Sequence, residues 1–165
     1  MDIPIGTPES EQNRIAANKA AVVRVMEEGF NRGNLDILPE LVGTAVTDHQ
    51  HPDEPDFVDH LRAVILAMRT AFPDLHFTIT QVIGEGDWVA MHSVMTGTHR
   101  GPLAPPLIAP DGPPVIPPTG RAIRVPHMHM VRFGEGKGEL LHLMDTFAMM
   151  KQLGVLPVPA GARST

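Results

Sequence analysis

At Pro73 the hydrophobic period of this chain changes, and no other feature constrains its fold as much. Upstream, apolar residues recur at helical spacing. Ile15, Val22, Val23, Met26 and Phe30 do so between about Glu11 and Phe30, as do Phe57, Leu61, Val64, Ile65, Met68 and Phe72 in "DFVDHLRAVILAMRTAF". Downstream, "LHFTITQVI" sets Leu75, Phe77, Ile79 and Ile83 on one face against His76, Thr78 and Thr80, the period of a strand. "NRGNLD" stops the first helix, with Gly33 as terminator and Asn34 capping a short second helix through Leu41. Asp56 and Asp59 open the third in a capping-box arrangement, and Pro73 ends it.

Three more strands follow, "WVAMHSVMTGTH", "RAIRVPHMHMVRF" and "LLHLMD", and then a helix, "TFAMMKQL", closed by Gly154. Helices first and an antiparallel meander afterwards predict one α+β domain over residues 1–165, with helices packed on one face of the sheet. The core spans about residues 14–157, and 158–165 form a loose tail. Residues 101–120, "GPLAPPLIAPDGPPVIPPTG", hold eight of the 17 prolines and are too long for a hairpin turn. They are expected to form a semi-rigid flap over a pocket mouth, or else an edge or dimer contact.

The charge balance narrows the partners. A formal charge of -6 without a basic run argues against nucleic acid and anionic membrane. No apolar run approaches the roughly 20 residues needed to span a bilayer. The opening "MDIPIGTPESEQN" has no secretion-signal character, so a cytoplasmic protein is expected. With no cysteine, thiolate nucleophiles, disulfides and cysteine-ligated metals are excluded. Ten methionines suit an interior with a cavity, or a core that uses Met in place of Leu.

Nine histidines are many for this length, and two fall in "RVPHMHMVRF". One face of that strand carries Ile123, Val125, His127, His129, Val131 and Phe133, and the other carries Arg124, Met128, Met130 and Arg132. Arginines belong in water, so His127 and His129 point inward. On the next strand Leu141, Leu143 and Asp145 share a face, which the same reasoning takes as the inner one. Two imidazoles and a carboxyl group then enter one apolar space, where burial favours their neutral forms and suits the acid to proton transfer near neutral pH. The structural alternatives are satisfied core histidines and a helix N-cap at Asp145.

His92 shares a face with Trp88, Ala90 and Val94, but the pattern does not say which way that face points. His49 and His51, in "TDHQHPDEPD", belong to a cavity rim or a solvated loop, while His60 and His142 read as structural. His127-x-His129 and His49-x-His51 also have the spacing at which same-face strand residues bind one metal ion.

Six phrases recur in order: "TDHQHP", "AFPDLHFTI", "GEGDWVAMHSVMTGTHRG", "PPTGRAIRV", "RF" before a glycine turn, and "MDTFAMMKQLGVLP". From about Asn18 to Pro157 the chain resembles the SnoaL-like polyketide cyclases, or predicted ester cyclases. The resemblance implies a cone-shaped α+β barrel like that of nuclear transport factor two, with a curved antiparallel sheet wrapped around the helices to enclose an apolar pocket. It also implies a homodimer, with no metal or organic cofactor. The aspartate acting as general acid/base in intramolecular aldol closure would be Asp145, and the histidine of the early "D-H" phrase would be His49. Leu141 stands where the family commonly has tryptophan.

The expected activity is thus cofactor-independent cyclase or isomerase chemistry on a hydrophobic carbonyl compound. Asp145, His127, His129 and His49 would be catalytic, and His51, Trp88, His92, Leu141 and Phe133 would contact substrate. A non-catalytic small-molecule-binding module and a histidine-ligated metal enzyme are the alternatives.

Overall fold

The structure is a computed structural model that describes residues 8–42, 45–104, 107, 115–134 and 138–156. Helix α1 (Pro8–Arg24) runs directly into a π-helical segment, Val25–Asn31. Gly29 lies within this segment, where a Cβ would make ordinary van der Waals contact with Leu38 and Ile65. The loosened carbonyls are met from outside, because the Arg69 guanidinium donates to Phe30 O (3.0 Å) and Asn31 O (2.8 Å). Gly33 ends the turn at φ 73°, a conformation that suits glycine. A 3-10 turn (Leu35–Ile37) and helix α2 (Leu38–Leu41) follow. Asn34 occupies the N-cap position, but its side chain makes no capping bond.

Helix α3 (Phe57–Ala71) begins as expected, with Asp56 Oδ1 accepting from the Asp59 N–H at 3.0 Å. Phe57, Leu61, Ile65 and Met68 form its buried stripe, and His60 lies in that stripe as well. These side chains pack with Val22, Met26 and Phe30 against the inner face of the sheet.

The sheet has strands β1 (Val46–Asp48), β2 (His76–Glu85), β3 (Trp88–Thr98), β4 (Ala122–Arg132) and β5 (Gly138–Met144). Their order is β1-β5-β4-β3-β2, in a curved, open sheet. β2 through β5 form the expected antiparallel meander, but β1 pairs parallel to β5 and makes the sheet mixed. At three residues, β1 is too short to carry a periodic signal.

Two faces differ from the sequence expectation. A bulge at Thr80 separates the Ile79–Ser93 and Gln81–His92 pairs, so the alternation of β2 reverses and Ile83 is 61% exposed. In β5 the inward residues are Leu140 and His142, because His142 pairs with inward-facing His129. Leu141 and Leu143 pair with Met130 and Met128 on the outer face, where Leu143 is 73% exposed.

Helix α4 (Thr146–Leu153) starts at Asp145, whose carboxylate accepts from the Ala148 N–H at 2.8 Å. It is anchored by Gln152, whose side-chain amide bonds both backbone groups of Arg124 (2.7 and 3.0 Å). The base of the proline-rich flap is fixed by a Leu103–Ile116 bridge, with both side chains buried. Ala104, Leu107 and Val115 are the described residues of the flap between the bridged positions, and the expected tail lies outside the described residues.

Candidate active site

Two adjoining cavities open between the helices and the inner face of the sheet. The smaller, about 220 Å³, is lined largely by apolar side chains, including Val22 of α1, Met26 of the π-helical segment, Leu61 of α3, Met91 of β3 and Phe133 just after β4. The larger, about 910 Å³, is lined by Asp48, His51, His60, His127, His129 and His142. Phe30, Phe57, Leu61, His129 and Leu140 line both. An apolar annex therefore meets a histidine chamber at His129, and flap residue Leu107 lines the chamber.

β4 and β5 bring three imidazoles together through the register His129–His142. The His127 and His129 rings are 4.1 Å apart, and His142 lies 5.8 and 6.0 Å from them. Burial pushes the His127 imidazole down to about 3, with His142 adding to the shift. Burial likewise holds His129 well below its ordinary range, with further contributions from His127 and His142. Both rings are therefore neutral at physiological pH. Nδ1 and Nε2 of His127 and Nδ1 of His129 are buried and have no hydrogen-bond partner.

Opposite them stands Asp48, the last residue of β1. Its side chain is 4% exposed, and Oδ2 lies 3.4 Å from His142 Nε2. Burial alone would raise this carboxyl group, but hydrogen bonding from His142 and from the Gln50 N–H (2.9 Å) outweighs it and holds the pKa below the ordinary carboxylate value. Asp48 is thus a buried carboxylate set beside the His142 ring. The His51 ring packs 4.6 Å from that of His60, whose Nδ1 faces Glu54 Oε1 at 3.5 Å. Burial lowers the His60 pKa, as does nearby His51. The chamber lining contains no arginine or lysine among the described residues.

His127, His129 and His51 thus line the chamber, and Phe133 lines the annex. Asp145 does not enter the chamber. It is exposed and caps α4, because the face assigned to it from Leu141 and Leu143 is the outer one. His49 is exposed and pairs with Glu139 at 3.1 Å, while Glu139 also binds Arg132. Trp88, His92 and Leu141 lie on the outer face, where His92 Nδ1 meets the Thr80 hydroxyl.

Asp48, His60 and His142 were not expected in the site. His60 carried a legible signal, since it follows Phe57 by three residues and precedes Val64 by four, within the apolar stripe. His142 carried none, because "LLHLMD" is apolar on both faces.

The SnoaL-like polyketide cyclase family model matches residues 20–153. No curated protein sequence matches the chain. Among solved structures, a candidate polyketide cyclase from Bacillus cereus superposes with a TM-score of 0.70 at 22% identity, over 91% of this chain and 89% of that one. A candidate SnoaL-like cyclase from Jannaschia gives 0.65 at 22%, over 95% and 99%. IdmH from Streptomyces antibioticus, also a candidate polyketide cyclase, gives 0.63 at 26%, over 83% and 98%.

Proposed function

Because the chain belongs to the SnoaL-like polyketide cyclase family, we propose that it is an acid–base enzyme acting on a hydrophobic, carbonyl-containing small molecule of polyketide type. The supporting observation is that His127 and His129, which hold buried imidazole nitrogens without partners, line the same chamber as the Asp48–His142 pair. A buried polar group without a partner costs about 1–3 kcal/mol. A substrate oxygen that accepts from these rings recovers that cost at the place where negative charge develops.

In this reading the Asp48 carboxylate orients His142 and leaves the Nδ1 lone pair of His142 to take a proton from carbon beside the carbonyl. The same imidazole, once protonated, returns the proton to the alkoxide formed on ring closure. The apolar annex holds the hydrocarbon portion of the substrate, and cavities of about 220 and 910 Å³ that adjoin each other suit a polycyclic molecule. Asp145, the acid that the family resemblance singles out, takes no part in this scheme.

The test is hydrogen exchange next to a carbonyl. An aryl methyl ketone such as 2-acetylnaphthalene, incubated with the protein in D2O, should lose its methyl proton signal faster than in buffer. Binding of the ketone without accelerated exchange would identify a binding module in place of an enzyme. We also propose a homodimer formed through the outer sheet face, where Met128, Met130 and Leu143 are exposed.

A further inference from the structure

We propose that Asp48, His51 and His60 form a binding site for one divalent first-row transition-metal ion, with zinc the best match. One ligand atom from each residue lies within 4.8 Å of the other two. Two imidazoles and one carboxylate are a common ligand set for ions of borderline softness, and three protein ligands leave a coordination position open for a substrate or water oxygen. Metal–ligand bonds of about 2.0–2.2 Å place tetrahedral ligands about 3.3 Å apart, so side-chain adjustments on the order of 1 Å complete the site.

Three observations beyond the spacing support a cation. Asp48 is buried, and no arginine or lysine among the described residues lining the chamber offsets its charge. Asp53 and Glu54 line the chamber too, so three carboxylate residues stand around it. Glu54 stands at His60 Nδ1, which leaves Nε2 for the ion. A carboxylate behind a metal-bound histidine fixes the ring and raises its basicity.

The site also differs from the one that histidine spacing suggests. His49 faces the outer surface and pairs with Glu139, so the His49-x-His51 motif contributes one ligand instead of two. A metal ion here would polarise a carbonyl oxygen of a substrate held in the chamber.

The proposal does not rest on the proton-transfer reading, and its test needs no substrate. Tag-free protein, stripped with chelator, is titrated with ZnCl2 by calorimetry and its metal content is measured after dialysis. One equivalent of Zn2+ per chain is expected. His51→Ala and His60→Ala should each weaken binding at least 100-fold, Glu54→Gln about 10-fold, and His49→Ala not at all.

Co2+ added to the unaltered protein should give visible absorption of the intensity typical of low-coordinate cobalt, which covers the case of variants that fail to fold. Less than 0.1 equivalent of Zn2+ in the wild type, no Co2+ spectrum, or full binding by the His51→Ala/His60→Ala double variant would overturn the proposal. None of these results alters the ketone exchange experiment, which can be run in chelator.

Discussion

The Nε2 atom of His142 lies 3.4 Å from Oδ2 of Asp48, across the only parallel strand pair among the described residues. That pairing, Asp48 opposite Leu140, carries a carboxylate from the end of a three-residue strand to the inner face of β5. There it meets an imidazole that the register aligns with His129. The proposed proton transfer rests on this junction, and the other predictions concern what surrounds it.

Asp145 has a structural role. Its carboxylate caps α4 through the Ala148 N–H. Asparagine caps a helix equally well, so Asp145→Asn should leave both stability and ketone exchange within twofold of wild type. Asp145→Ala should lower stability by about 1 kcal/mol in urea unfolding while exchange persists.

In the proposed reading, His129 trades stability for function. Its Nδ1 is buried without a partner at the boundary of both cavities. His129→Leu removes that unmet group and should stabilise the protein by about 1–2 kcal/mol in denaturant titration. The same change should lower ketone affinity and exchange by at least tenfold.

Acid should weaken the fold through His127. The ring has a pKa of about 3 in the folded chain, against an ordinary histidine value of 6.5. Between those values the unfolded chain binds the extra proton, so stability is full above pH 6.5 and falls as pH drops toward 3. By pH 4.5 the cost is about 2.5 kcal/mol. His127→Leu should flatten that part of the pH profile, read as urea midpoints at pH 7.5 and 4.5. Equal slopes in both proteins would contradict a buried neutral ring.

The outer face of the sheet should hold a second copy. Leu143, Met128 and Met130 are 73%, 50% and 44% exposed on adjacent strands. Light scattering should give twice the chain mass, and Leu143→Glu combined with Met128→Glu should give one chain mass with the fold intact.

The fold was legible where the pattern was long and one-sided. The stripe of α3, the antiparallel meander and the inward direction of His127 and His129 followed from periodicity, because Arg124 and Arg132 marked the wetted face of β4. Where both faces are apolar, as in "LLHLMD", alternation cannot choose between them, and the strand register decided instead. The Thr80 bulge reversed β2 midway without a glycine or proline to announce it. The site was half legible for the same reason. Asp48 depends on a parallel pairing between segments some 90 residues apart, while Asp145 precedes a helix where a capping role and a catalytic one have the same local sequence.

The central claim is that proton transfer belongs to His142, oriented by Asp48. The direct measurement is exchange of the 2-acetylnaphthalene methyl protons in D2O, compared across three variants. His142→Gln and Asp48→Asn should each slow enzyme-dependent exchange by at least 100-fold, while Asp145→Asn should match wild type. Full exchange in His142→Gln, together with its loss in Asp145→Asn, would contradict the account.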